Sequence, residues 1–163
     1  MPLRICFVCS GNICRSPTAE AVLRRQLTEA GLDGQVVVDS AGLGDWHVGE
    51  AADHRSAAAL RRRGYPAWEH RARQFTAADF AERDLVVALD SGHERALRAL
   101  APTAAYRDKV RLLRSYDTAA AAGSGELDVP DPYHGAPAGF DHVLDLVEAA
   151  CRGLLAEVRG RLR

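Results

Sequence analysis

The chain is predicted to be an α/β protein: a four-stranded, parallel, twisted sheet covered by helices on both faces. Two observations carry this. Short apolar runs without polar alternation, which read as strands buried on both sides, recur along the chain. Between them the hydrophobic period changes to the three- and four-residue steps of helices. Strands that alternate with helices pair in parallel through right-handed crossovers.

The elements follow in order. Residues 3–8 (LRICFV) read as the first strand, 35–39 (QVVVD) as the second, 84–90 (DLVVALD) as the third and 110–113 (VRLL) as the fourth. After Ser16-Pro17, Ala19, Val22, Leu23, Leu27 and Ala30 keep a helical period until Gly31; serine as N-cap and proline as the first helical residue mark the start. Residues 53–63 form a second helix, ended by Arg61, Arg62 and Arg63 at its negative pole and then Gly64. Ser91-Gly92-His93-Glu94 reads as a capping box opening a third. The last helix carries one apolar stripe from Phe140 through Val143, Leu144, Val147, Cys151, Leu154, Leu155 and Val158 to Leu162. Residues 115–139, including the low-complexity stretch 119–126 (AAAAGSGE), show little regular pattern, and loops of that length are often functional.

At 163 residues, one domain spanning 1–163 is expected, with roughly two-thirds of the unfolded surface buried. A net charge of -1 argues against a general nucleic-acid or membrane-surface binder, so any partner must be read from a local site. The start, MPLRICFVC, lacks a signal-peptide pattern, and a cytoplasmic protein is expected. Four cysteines suit reduced thiols better than a disulfide scaffold.

Chemistry concentrates in VCSGNICRSP, between the first strand and the helix after it. In an open parallel sheet this is where ligands bind, and helix amides there point at an anion. Gly11 and Asn12 tolerate left-handed backbone, which lets successive amides converge. The same positive potential favours the thiolate form of a cysteine, the nucleophilic one. Arg15 offers a planar fork for two phosphate oxygens. Cys9, an amide cradle and Arg15 together describe nucleophilic phosphoryl transfer. Cys6, Cys9 and Cys14 also spell C-x2-C-x4-C, a metal pattern, but no second cysteine pair accompanies it and residues three apart on a strand face opposite ways. Cys151 belongs to the core stripe of the last helix. Asp90 reads equally as a site residue or as a turn residue flanking the third helix.

With these residues in view, the chain resembles the low-molecular-weight protein tyrosine phosphatases. VCSGNICRSPTAEAV fits their C-x5-R-S loop and helix opening, and DSAGLGDWHVG, HRARQF, LVVALD, SYD and DPYHG follow in family order over nearly the whole chain. The resemblance implies a flavodoxin-like three-layer sandwich with the phosphate-binding loop after the first strand. It implies hydrolysis of phosphotyrosine with Cys9 as nucleophile, Arg15 as phosphate clamp and Asp131 as general acid and base. Expelling a phenolate, whose conjugate acid has a pKa near 10, independently calls for a proton donor. The loop residues Ser10, Gly11, Asn12, Ile13, Cys14 and Ser16 would cradle the phosphate. Asn12, Ser16, Ser40 and His70 match the network that supports the loop, with Glu20 or Asp39 holding the His70 ring. Trp46, Tyr133 and His134 would border the substrate cleft. Cys14 matches a second loop cysteine that can pair reversibly with an oxidised nucleophile, or it packs behind the loop. No metal or cofactor is implied. Expected partners are tyrosine-phosphorylated proteins, with inorganic phosphate or vanadate as site ligands, and the expected state is a monomer or weak dimer.

The chain departs from the family pattern in three places: His134 where a second tyrosine is common, Pro130 for an acidic neighbour of Asp131, and His47 for an asparagine beside Trp46. These bear on which peptides bind. Three other functions share the loop or fold. Arsenate reductases relay a disulfide through two further cysteines near the stretch LVVALDSGHER, which has none. Protein arginine phosphatases tend to carry threonine at the position of Ile13, and an apolar residue there suits an aryl ester better than a phosphoguanidinium. A phosphotyrosine-binding module would need neither Cys9 nor Asp131.

Overall fold

The computed structural model describes residues 1–123 and 126–162; Ser124 and Gly125, within the low-complexity stretch, and Arg163 lie outside the described residues. Strands β1 (Leu3–Cys9), β2 (Val36–Gly42), β3 (Leu85–Ala88) and β4 (Val110–Leu112) form one parallel sheet in the order β2-β1-β3-β4. The helices are α1 (Arg15–Glu29), α2 (His54–Arg62), α3 (Ser91–Leu100), α4 (Ala104–Arg107), α5 (Thr118–Ala122) and α6 (Ala138–Arg161), with 3₁₀ turns at Ala77–Glu82 and Leu113–Tyr116. The second turn and α5 give regular structure to part of a segment whose sequence shows little regular pattern.

Alternation along β1 sorts its side chains to two cores. Ile5, Phe7 and Cys9 join the larger one, with Val22 and Leu23 of α1 and Phe140, Leu144 and Leu154 of α6. Cys6 and Val8 join the smaller one, with Phe75, Phe80 and Leu97. Each fully buried leucine, valine or phenylalanine contributes about 1.5 to 3 kcal/mol, so the α6 stripe alone is a major part of what closes the larger core. Cys6 and Cys9 therefore stand on opposite faces of the sheet.

Two helix starts differ from the sequence reading. Helix α1 begins at Arg15 with Cys14 as its N-cap, and Thr18 ties back to the Cys14 carbonyl through its amide (3.2 Å) and hydroxyl (2.7 Å). Ser16 lies inside the first turn, its hydroxyl committed elsewhere. Helix α3 is capped by Asp90, not Ser91: the Asp90 carboxylate accepts the His93 amide at 2.8 Å. The ends hold as read, with Gly31 (φ 71) and Gly64 (φ 83) in left-handed conformation after α1 and α2. No helix among the described residues is long and apolar enough to cross a membrane.

Because β1 lies between β2 and β3, the chain runs outward to one edge and then returns past β1 to the other. The crevice at the carboxyl ends of β1 and β3, where this reversal occurs, is the place for a ligand in such sheets.

Candidate active site

The loop from Cys9 to Arg15 is shaped by where its carbonyls go. The Cys9 carbonyl accepts the Leu43 amide (2.9 Å), that of Ser10 the Gly44 amide (3.1 Å), and that of Ile13 the Asp53 amide (2.8 Å). His70 Nε2 donates to the Asn12 carbonyl at 2.7 Å. With these oxygens drawn outward into the protein, the amides of Gly11, Asn12, Ile13 and Cys14 face the other way and, among the described residues, donate to no protein acceptor. The result is a ring of uncommitted N–H groups at the start of α1, a ready site for an anion.

Asn12 makes the curl possible. It has φ 60, the left-handed region that asparagine tolerates better than most residues, and is fully buried. Its amide nitrogen donates to Ser16 Oγ and Ser40 Oγ, both at 2.9 Å, and its Oδ1 accepts the Arg73 amide at 3.0 Å. The Ser40 hydroxyl donates a hydrogen bond to Glu20 Oε1 at 2.6 Å. Burial, partly offset by that hydroxyl and by Arg24, raises the Glu20 pKa. Since Asn12 donates into the Ser16 oxygen, the Ser16 hydrogen is left for Cys9 Sγ, 2.9 Å away, or for the more distant Ala41 carbonyl at 3.4 Å. Gly11 serves by close approach: a Cβ there would sit 2.7 Å from the His47 ring, which packs over the loop.

Arg15 is 4% exposed. Its Nη1 donates to Asp90 Oδ2 (2.8 Å) and to the Val129 carbonyl (2.9 Å). Its Nη2 lies 3.7 Å from Asp131 Oδ2 and 3.5 Å from His93 Nε2. One edge of the guanidinium is thus anchored while the other faces the cleft. Asp90 is both the cap of α3 and the Arg15 anchor. Despite its burial, the His93 amide and Arg15 hold its carboxyl below the usual range.

His93 is buried behind the loop, and its Nε2 shares a 2.9 Å hydrogen bond with Ser10 Oγ. Burial, with Arg15 beside it, pushes its pKa down to about 4. The ring is therefore neutral near pH 7, with Nε2 free to accept from the Ser10 hydroxyl. Burial, with Asp53 nearby, pushes the Cys14 thiol up to about 12, which keeps it protonated.

A cleft of about 130 Å³ gathers Cys9, Ser10, Gly11, Ile13, Cys14, Arg15, Trp46, His47, Asp131 and Tyr133. Asp131 reaches it from the loop before α6, 53% exposed, with its Oδ1 accepting the Tyr133 amide at 3.1 Å. Trp46 is 69% exposed at the rim and Tyr133 38%. A larger cleft, about 450 Å³, lies between Leu60, Tyr65, Trp68 and His70; it is lined by no cysteine, serine or threonine, so size does not locate the chemistry.

Three sequence expectations need correction. Asp39 does not hold His70: Ser40 faces the loop, so its neighbour on β2 must face the other way, and there Asp39 pairs with Arg83 (2.6 Å) and Arg73 (3.2 Å). Glu20 bonds to Ser40, while the His70 hydrogen bond goes to the Asn12 carbonyl. His134 is not among the residues lining the cleft; it packs edge-on against Tyr133, ring centroids 4.9 Å apart. Residues the sequence reading missed are His93, the Val129 carbonyl and His47 as a lining group. An Asp-x-x-His spacing at 90 and 93 was the available sign for the first.

Comparison with known proteins shows the family. The family model described as low molecular weight phosphotyrosine protein phosphatase matches residues 4–162. A low molecular weight protein-tyrosine-phosphatase of Streptomyces coelicolor is 59% identical over 98% of this chain and 95% of its own. Protein-tyrosine phosphatase A of Mycobacterium tuberculosis is 48% identical over 99% and 94%. A protein tyrosine phosphatase of Entamoeba histolytica, solved with Hepes in its active site, superposes with a TM-score of 0.90 at 32% identity, covering 99% of each chain. The match of the family model to residues 4–162 and the identity over nearly the whole length of these relatives place the chain in the low molecular weight phosphotyrosine protein phosphatase family.

Proposed function

We propose that this protein hydrolyses phosphotyrosine in proteins, and small aryl phosphates, in two steps. In the first, the Cys9 thiolate attacks phosphorus; the S–P bond forms as the ester P–O bond breaks, and Asp131 gives its proton to the departing phenolate oxygen. In the second, Asp131 takes a proton from water as that water attacks phosphorus, the S–P bond breaks, and inorganic phosphate leaves. The Ser16 hydroxyl, 2.9 Å from Cys9 Sγ, is placed to stabilise the departing thiolate. Arg15 and the loop amides meet the charge spread over the phosphoryl oxygens, so the scheme calls for no metal or cofactor.

The observation that carries this reading is the convergence of Cys9, Arg15 and Asp131 on one small cleft whose floor is a ring of free amides. Ile13, Trp46 and Tyr133 supply apolar walls for a flat ring. Ile13 also favours an aryl ester over a phosphoguanidinium, the substrate of the nearest rival function. The relay cysteines of an arsenate reductase have no counterpart, since Cys6 and Cys151 are buried in the two cores. The enzyme is proposed to act as one domain, in the cytoplasm, as a monomer or weak dimer on phosphoprotein substrates, with phosphate or vanadate as site ligands.

Assays on phosphotyrosine, phosphoserine and phosphoarginine peptides, side by side, test the substrate; a preference for phosphoarginine would overturn the assignment. Activity is expected to survive chelator, to yield to vanadate, and to vanish in Cys9→Ser. Asp131→Asn is expected to slow phenyl phosphate cleavage by about 10²-fold or more, the scale of general acid catalysis, while phosphate binding persists. An acid quench during turnover should trap phosphate on Cys9, which a binding module would never show.

A further inference from the structure

Arg55 takes no part in the steps above, yet it is bonded to both halves of the site. Its Nε and Nη2 donate to the two carboxylate oxygens of Asp53 at 3.1 and 3.0 Å, and Nη2 also donates to the Tyr133 carbonyl at 3.0 Å. The guanidinium lies 4.7 Å from the Phe140 ring centroid and 5.5 Å from that of Tyr133. Asp53 is fixed in turn: its amide donates to the Ile13 carbonyl of the phosphate-binding loop (2.8 Å), and its carboxylate caps α2 through the Arg55 amide (2.8 Å). An unbroken chain of bonds thus runs from Ile13 through Asp53 and Arg55 to Tyr133, whose amide holds Asp131 Oδ1 at 3.1 Å.

The Asp131 side chain is half exposed, so burial does not set its position. On the upstream side the loop is held by the Val129 amide on the Leu89 carbonyl (2.9 Å) and by Arg15 on the Val129 carbonyl (2.9 Å). On the downstream side α6 begins seven residues after Asp131, at Ala138, and Arg55 supplies a tie within that gap.

We propose that Arg55 is a positioning residue for proton transfer: through Tyr133 it sets the height of the Asp131 carboxyl above the phosphate-binding loop. The inference rests on Asp131 being the proton donor. Loosening the tie should cost rate in proportion to how much the leaving oxygen needs a proton as the P–O bond breaks. It should leave anion binding alone, because Arg55 does not line the cleft.

The test uses the whole enzyme with Arg55→Gln, Arg55→Lys and Asp131→Asn, and kcat/KM for aryl phosphates running from phenyl to dinitrophenyl. Arg55→Gln is expected to lose about tenfold on phenyl phosphate and far less on the dinitrophenyl ester, with the steeper version of this pattern in Asp131→Asn. Arg55→Lys, with a charge but no planar fork, should fall between wild type and Arg55→Gln, and its thermal melt shows whether the fold is kept. Vanadate inhibition should stay within about twofold, since no phosphate contact is altered. An even loss across the series in both Arg55 variants, or no loss, with Asp131→Asn still dependent on the leaving group, overturns the role of Arg55 alone. A flat Asp131→Asn series overturns the assignment of Asp131, and that of Arg55 with it.

Discussion

Asn12 and His93 illustrate how single residues are committed on several sides at once. Every polar atom of the Asn12 side chain is bonded, and its carbonyl is bonded to His70, so the left-handed conformation is held by four partners. At His93 the relevant quantity is a proton. An unfolded chain binds one on histidine below pH 6.5, whereas the folded protein refuses it until about 4. Acidification from 6.5 toward 4 therefore favours the unfolded chain, and the loss, roughly 3 kcal/mol when complete, is absent above pH 6.5. Asp90, held below the carboxylate range, adds to the loss at lower pH; Glu20, raised by burial, acts in the opposite sense as it protonates. Wild-type melting temperature is expected to drop across this window, and His93→Gln should flatten the drop. An unchanged slope in that variant would assign the effect elsewhere. Of these residues Asn12 was legible in the sequence, because a left-handed residue inside C-x5-R has a local reason. His93 was not, because its partners Ser10 and Arg15 lie some eighty positions away and only the β1–β3 register brings them near.

Among the elements, strands and helices were read well where a period of apolar residues ran long enough, as in α1 and α6, and poorly where a polar side chain had two possible employers. Ser16 has the chemistry of an N-cap, but its hydroxyl serves Cys9 and Asn12, and the helix starts two residues earlier, with Cys14 as its N-cap. Ser91 lost the same competition to Asp90, whose carboxylate both caps α3 and anchors Arg15. Regular structure within residues 113–122 is not legible in the sequence because the Leu113–Tyr116 turn packs on α6 and α5 packs on that turn, neither following a local period. There Gly153 lets the helix lie directly on the backbone of Tyr116, with no room for a Cβ. Gly153→Ala is expected to cost about 1 to 3 kcal/mol by overpacking, read as a fall of several degrees in melting temperature. A neutral or stabilised variant would show that the contact yields freely.

For the molecule as a whole, the sheet order was the least legible feature, since nothing in a single strand states its neighbours, yet it decides where the site is. The loop after β1 is fastened to Leu43, just after β2, to Asp53, the N-cap of α2, and to the segment of His70, so an anion held there is held by several elements together. Saturating phosphate, at a hundred times its dissociation constant, should therefore stabilise the entire fold by about 2.7 kcal/mol. The rise in melting temperature is expected in wild type and in Cys9→Ser, and should shrink in Arg15→Met; equal rises in all three would place the phosphate elsewhere. The central position of β1 also has a meaning for the chain as it is made. Cys9 is made well before Asp90, the Val129 carbonyl and Asp131, and α6, which closes the core beneath Cys9, follows all of these. At the ribosome's pace of about 5 to 20 residues per second, a nascent chain spends several seconds holding its nucleophile without the groups that give it a purpose. A nascent fragment that stops short of Asp131 thus holds the nucleophile without its proposed proton donor, and one that stops short of α6 lacks the helix that packs beneath Cys9.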